Sequence, residues 1–310
     1  MRQFLTVSVL TATAASGIRL AAPFLLASLG ETMGQRSGVL NLGVDGVMLL
    51  GAFGAYFTVL ETGSLWLAVL IGIVIGIVMG VLTGVVSVTL KAEQGISGIG
   101  VYLFGLGISD LLFQKLVGTP RPVSTLPALQ IPLLGDLPLV GKMLFRHNAL
   151  VYLAFALVPL LTFVLNRTTY GVKIKAVGET PAAADSLGVS VTLIRYSTVI
   201  LGNMLAGLAG ATLALELGIF QQNLTQGQGF IAIALVYFGA WRPYGVMGGS
   251  LLYGMVAATV LSWKTLGIIP RSASDLAGMA PAVLTIIALV VVARRFRQPT
   301  ALARPYRRGA

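Results

Sequence analysis

The chain has 310 residues, of which 56% are hydrophobic and only 10% charged, with a mean hydropathy of +0.90. A soluble domain carries roughly 25% charged residues, so this chain cannot cover itself with a solvated surface and belongs in a bilayer. Cysteine is absent and His147 is the one histidine, which excludes a disulfide framework, thiolate metal ligation and histidine-cluster metal centres. The net charge of +11 gathers at the chain end and between apolar runs, a pattern of membrane orientation and not of nucleic-acid binding.

At the start, Met1-Arg-Gln followed by apolar Phe4–Leu10 and Ala12-Thr-Ala14 imitates a secretory signal with its cleavage site. The apolar character continues to Leu29, which predicts an uncleaved first span. A helix needs about 20 apolar residues to cross hydrocarbon. Hydropathy places spans over residues 6–29, 43–60, 65–90, 95–116, 148–166, 192–216, 228–240, 246–263 and 278–294. That predicts an all-α transmembrane bundle of eight or nine crossings, with Arg19 and Pro23 interrupting the first. No linker or composition break divides residues 1–310, which read as a single transmembrane domain.

Behind the first span, Arg36-Ser-Gly-Val-Leu-Asn-Leu-Gly-Val-Asp-Gly46 carries glycines at 38, 43 and 46. These suit an unwound or tightly packed entry to the second span. Asn41 and Asp45 there either line a pathway or cap a broken helix. Glu31, Asp110 and Glu216 are further acids at or within spans. Charge inside a membrane is expensive, so such groups face the protein interior or a watery path. Asn41, Asp45, Asp110 and Glu216 are therefore the pathway candidates. Gly72, Gly76, Gly80 and Gly84 recur every four residues on one helix face, a packing stripe that lets backbones approach.

Residues 117–147 hold Pro120, Pro122, Pro127, Pro132 and Pro138 and predict an ordered external cap. Residues 167–191 form a polar island between two spans. Within it, Thr180 and Pro181 signal a helix start, a hydroxyl cap followed by a proline whose missing N–H costs nothing there. Ala182, Ala183 and Ala184 favour helix, and Gly188 stops it. Two turns are too short to be stable without a second surface. A helix lying on lipid wants large apolar side chains beside basic ones, whereas this small, smooth face suits a protein groove; an ordinary loop helix is the plainer alternative. Gln221, Gln222, Asn223, Gln226 and Gln228 suggest an external loop, and the short run 228–240 suggests a tilted or broken helix of the kind found near transport sites.

Arg294, Arg295, Arg297, Arg304, Arg307 and Arg308 follow the last span, so residues 295–310 read as a basic cytoplasmic tail that also attracts anionic lipid heads. If every segment crosses, Arg36, Lys91, Arg167, Lys173, Lys175, Arg195 and Arg242 share the tail's side. Lys115, Arg121, Lys142, Arg146, Lys264 and Arg271 fall opposite, with Arg2 and Arg19 left out of the count. The asymmetry puts the 167–191 island in the cytoplasm. The only Gly-Lys pair, Gly141-Lys142, is followed by Met143, and position 136 is Asp, so the chain has no phosphate-binding loop for ATP hydrolysis. His147 has no carboxylate nearby in sequence, and no catalytic constellation emerges.

The run from Gln35 to Phe53 resembles the first signature of the integral-membrane permeases of bacterial ABC importers for branched-chain amino acids, ribose-type sugars and nucleosides. Gly171 to Asp185, with Gly188-Val189 and Ala206-Gly-Leu-Ala-Gly210, resembles the cytoplasmic coupling segment of those permeases and the helix after it. Gly229 to Ala234 and Gly248-Gly-Ser-Leu251 resemble their late spans, so the likeness covers about residues 17–294. It implies a type II importer-like permease in a bacterial inner membrane, with a cytoplasmic C-terminus and neither catalytic residues nor a cofactor of its own. The implied partners are an ATP-binding cassette ATPase, a second and non-identical permease, and a substrate-binding lipoprotein or periplasmic protein. Lys173, Lys175, Gly178, Glu179, Pro181, Ala183, Ala184 and Asp185 then become the ATPase-coupling residues, with 181–186 seated in an ATPase cleft and Lys173, Lys175 and Glu179 at its rim. The short N-terminus and the Arg36–Gly43 motif look most like nucleoside or simple-sugar permeases. Asp45 stands where the nucleoside branch is expected to carry Glu, which keeps ribose-like sugars as the alternative cargo. From another class, an ion-coupled carrier predicts paired carboxylates and inverted repeats, and neither is evident.

Overall fold

The computed structural model describes residues 7–130, 140–293 and 297–307. Pro132 and Pro138 of the expected cap, and Arg294, Arg295 and Arg308 of the tail, lie outside them. The helices in chain order are α1 (Val7–Arg36), α2 (Val44–Thr62), α3 (Leu65–Gly84, continued by a π turn to Thr89), α4 (Gln94–Leu116), α5 (Val140–Leu144), α6 (Ala149–Arg167), α7 (Thr169–Glu179), α8 (Pro181–Ser186), α9 (Val191–Leu217), α10 (Gln228–Phe238), α11 (Pro243–Thr265), α12 (Ser274–Gly278) and α13 (Ala280–Ala293). Among the described residues, seven of them (α1, α2, α3 with its π turn, α4, α6, α9 and α11) are long and apolar enough to cross a membrane. The shorter α10 and α13 occupy the two remaining spans predicted from hydropathy. The only β structure among these residues is a pair of two-residue strands, β1 (Leu129–Gln130) against β2 (Arg146–His147), inside the expected cap.

The first span differs from its expectation. Neither Arg19 nor Pro23 breaks it, and α1 continues for 30 residues to Arg36 with Pro23 inside. Proline removes one backbone donor and crowds the preceding turn, but Ala21, Ala22, Leu25 and Leu26 around it are fully buried, and tight packing holds the helix through the defect.

The 27-residue α9 is the central post, with 78% of its most apolar stretch buried against 28% for α4. The glycine stripe of α3 explains one of its contacts. A Cβ at Gly72 would press on Ala211, at Gly80 on the Ile200 backbone and at Gly84 on the Tyr196 ring, while Gly76 lies against the Asn203 carbonyl. Every glycine of the stripe faces α9, so the two helices approach closely, at Gly76 and Gly80 backbone against backbone.

The connections assigned to one side of the membrane meet at one end of the bundle. There Arg36 Nε donates to the Trp241 carbonyl at 2.9 Å, and the Leu40 amide donates to Gln94 Oε1 at 2.8 Å. The opposite end is tied by Tyr56 Oη to the Arg121 carbonyl at 2.9 Å and by the Val123 amide to the Gly218 carbonyl at 2.8 Å.

Two elements start inside the bundle. Residues 37–43 turn back from the end of α1, so that the Asn41 amide donates to Glu31 Oε1 at 3.0 Å and Asn41 Nδ2 to Asn203 Oδ1, near the middle of α9, at 3.0 Å. From the other end, residues 219–227 re-enter behind α9, and the Phe220 ring packs 5.5 Å from Phe53 and 5.4 Å from Phe113. These interruptions deliver the N-termini of α2 and α10 to the same depth.

Candidate functional site: the coupling end and the interrupted helices

The polar island folds as two helices, where the sequence signalled one. Thr168 caps α7, its Oγ1 accepting the Gly171 amide at 3.2 Å. Gly171, Ile174, Val177 and Gly178 make the buried stripe of α7, spaced at three and four residues. Ile174 and Val177 pack with Met33, Leu165, Val191 and Ile194. Gly178 has to be glycine, because its Cα lies against the Arg36 carbonyl and a Cβ would overlap that oxygen. The island is thus pinned to the end of α1.

Next, α8 starts at Thr180-Pro181 as expected, although the Thr180 hydroxyl makes no capping bond. The helix ends in a Schellman turn: the Gly188 amide, at φ +82°, donates to the Asp185 carbonyl at 2.9 Å and the Val189 amide to the Ala184 carbonyl at 3.0 Å. Ala184 is buried as the anchor, while Ala182 and Ala183 face out. This leaves a small, flat, unencumbered helical face.

The tail folds back over this pair, and no sequence signal announced it. The Ala301 amide donates to the Gly178 carbonyl at 2.9 Å and the Ala303 amide to the Gly38 carbonyl at 3.2 Å. Thr300 Oγ1 donates to Glu179 Oε2 at 2.8 Å, Tyr306 Oη to Asp185 Oδ2 at 3.1 Å, and Arg195 Nη1 to the Arg304 carbonyl at 2.9 Å. Residues 300–306 therefore lash α7 and α8 to Gly38, the point where the chain turns back into the bundle.

Deeper in, Asp45 is fully buried at the first turn of α2. Its Oδ1 accepts the Gly229 amide at 2.7 Å and its Oδ2 the Thr225 hydroxyl at 3.0 Å. The carboxylate so caps the N-terminus of α10, where amides lack intrahelical acceptors and the helix dipole favours negative charge. Asn41 Oδ1 accepts the Gly43 amide at 2.9 Å at the entry to α2. Glu31 also accepts Gln35 Nε2 at 3.0 Å, and Gln35 Oε1 accepts Trp241 Nε1 at 2.7 Å. One polar chain thus runs from Asn203 through Asn41, Glu31 and Gln35 to Trp241, linking α9, α1 and the turn between α10 and α11.

Residues 13–292 match the family model for the branched-chain amino acid transport system permease component. The chain belongs to this permease family. A guanosine ABC transporter permease of Bacillus subtilis is 33% identical over 93% of this chain and 94% of its own length. A nucleoside ABC transporter permease of Lactococcus lactis is 32% identical, covering 87% and 88%. A putative glucose ABC transporter permease of Haloferax volcanii is 38% identical, covering 84% and 80%. No solved structure matches the chain. The protein is accordingly a multi-pass membrane permease component, the pore-forming kind of subunit.

In this permease the coupling candidates do not all share one rim. Lys173 is exposed on α7. Lys175 Nζ donates to Asn166 Oδ1 at 2.8 Å and, with Arg36, Trp241 and Arg242, lines a cavity of about 870 Å³ beside α6. Partial burial, then the neighbouring Arg36 charge, lowers the Lys175 pKa. Glu179 is taken up by Thr300, and Asp185 by Tyr306. Pro181 and Ala183 stay at the surface of α8. Nor do the four pathway candidates converge. Asn41 and Asp45 sit together inside the bundle, but Asp110 accepts the Asn223 amide at 3.2 Å at the far end. Glu216, also there, accepts Asn148 Nδ2 at 2.5 Å and lies 3.7 Å from Arg19 Nε. Sequence reasoning passed over Gln35, Trp241, Asn203 and Thr225, and it counted Arg195 only as a charge. The one available signal was a polar side chain inside an apolar run.

Proposed function

We propose that this permease is the translocation subunit of an ATP-driven importer for nucleosides. Its full-length likeness to the guanosine and nucleoside permeases carries the choice of cargo. For the energy source, the exposed alanine face of α8 supports a separate ATP-binding cassette ATPase: its cleft takes α8, and a non-identical second permease and a substrate-binding lipoprotein complete the assembly. The protein is a single domain in a bacterial inner membrane, with residues 167–191 and the tail on the cytoplasmic side and residues 117–147 outside.

ATP binding closes the ATPase around α8, and closure favours one arrangement of the permease by binding it better than the other. Displacement reaches the interior along two packed routes. One is the apolar stripe of α7 on Met33 and Ile194; the other is the tail bond to Gly38. Both lead to residues 37–43 and hence to Asn41 and Asp45, where two helices begin inside the membrane, the arrangement associated with transport sites.

Uptake of radiolabelled guanosine by cells carrying the whole transporter tests the cargo. Excess adenosine and uridine should compete, and glucose and ribose should not. The 38% identity to the putative glucose permease supports a second reading, a simple-sugar importer. Competition by sugars and not by nucleosides would establish that reading.

A further inference from the structure

The cavity of about 870 Å³ lies between α6, α7 and the turn from α10 to α11. Arg36, Lys175 and Arg242 all line it, and no carboxylate among the described residues does. These charges act on one another: Arg36 feels Arg242, and Lys175 feels Arg36. Glu179 offsets Arg36, but it stands outside the cavity and is held by Thr300. The cationic donors are open. Arg36 Nε donates to the Trp241 carbonyl, while Nη1 and Nη2 have no partner and are not enclosed. Lys175 Nζ donates to Asn166 Oδ1, which leaves two of its three hydrogens for a ligand. Like charges around one open space repel, and an anion between them turns that repulsion into attraction. The wall is unusual as well. Ala240 and Trp241, at φ +52° and +55°, hold a left-handed conformation that residues other than glycine seldom adopt and that recurs at ligand clamps.

We propose that this cavity binds a nucleoside monophosphate, with the phosphate between Arg36 and Lys175 and the base against Tyr244. A phosphomonoester carries about −1.5 to −2 charges at pH 7, a better match for three cations than the single charge of a lipid phosphodiester. Arg36 presents the paired donors suited to a phosphate group. The start of α11 borders the same space, and its first amides have no intrahelical acceptor. Size and lining argue for an organic phosphate. Inorganic phosphate would leave most of the volume empty, whereas the Tyr244 ring, 53% exposed, and Phe238 offer a surface on which a base can stack. An occupied cavity would bridge α7 to the α10–α11 turn and so bias the arrangement of the helices that α8 acts on. The assignment rests on the proposed function only in placing the cavity on the cytoplasmic side, the side that meets nucleotides.

The test is equilibrium dialysis of radiolabelled guanosine monophosphate against the purified full-length permease in mild detergent, so that neither transport nor the ATPase enters the measurement. One saturable site per chain is expected. Guanosine, inorganic phosphate and phosphatidylglycerol should each displace the label at least about tenfold less well than unlabelled nucleotide. Lys175→Ala should weaken binding about tenfold, the size expected when one charge-assisted hydrogen bond is lost. Tyr244→Ala, at an exposed position, should weaken it about fivefold through lost stacking. Absence of a saturable site, or unchanged binding in Lys175→Ala, overturns the proposal. Displacement by inorganic phosphate or phosphatidylglycerol as effective as by the nucleotide overturns it as well, the latter in favour of a lipid headgroup. Equal displacement by guanosine overturns it by placing the label in the cargo path, whereas a sugar cargo in the uptake assay would leave this result untouched.

Discussion

Asp45 shows how a single carboxylate can organise a break in a membrane helix. Both its oxygens are taken by the entry to α10, so of the two roles its sequence context allowed, the hydrogen bonds display the capping one. Replacing it with alanine leaves the Gly229 amide and the Thr225 hydroxyl buried without an acceptor. Asp45→Ala should cost about 1–2 kcal/mol, the range for a lost cap, and lower the melting temperature in detergent. Asp45→Asn retains an acceptor for Gly229 and should keep most of that stability. If both variants melt like the parent and yet fail in uptake, the carboxylate serves the pathway and not the cap. Polar residues within apolar runs were visible in the sequence. Their partners were not, because Asn203, Thr225 and Gly229 come into reach only when helices distant in the chain pack together.

Among elements, α3 and α8 gave clear sequence signals because each rests on local chemistry. The four-residue glycine repeat dictates a smooth face, and α3 uses it against α9. Gly76→Leu should force α3 away from the Asn203 and Met204 backbone at a cost of about 1–3 kcal/mol or more, read as reduced yield of folded protein and a lower melting temperature. In α8 the Ala183 side chain is exposed, and only its backbone carbonyl is engaged, by the Leu187 amide and the Ser186 hydroxyl. Ala183→Arg should therefore leave melting unchanged, while uptake falls more than tenfold and the ATPase no longer co-purifies. Normal uptake in this variant would remove α8 from the coupling route. By contrast α7 was not legible: its stripe is short, half glycine and flanked by lysines, and it becomes helix because Met33, Leu165 and Ile194 give it a surface to lie on.

At the scale of the molecule, hydropathy and the bilayer's thickness made the long spans readable, since about 20 apolar residues are needed to cross. Three departures depend on tertiary contact and have no such local rule: the passage of α1 through Pro23, the re-entry of residues 37–43 and 219–227, and the folding of residues 300–306 onto α7 and α8. The last has a direct test. Truncation before Arg297 should leave assembly with the ATPase intact, but ATP hydrolysis should continue with uptake reduced several-fold, because α8 would then reach Gly38 only through α7. Unaltered ATP consumption per molecule imported would show that the tail carries none of the coupling.

A practical consequence follows from where the tail lies. Its last described residues run alongside α8, so an affinity handle fused behind them would crowd the surface on which the ATPase is proposed to sit. The first turns of α1 lie at the opposite end of the bundle, where Thr13 Oγ1 and Ser262 Oγ of α11 are 2.8 Å apart. Recombinant material meant for reconstitution is better tagged there, and a poorly active preparation carrying a C-terminal handle should first be retried with the handle removed.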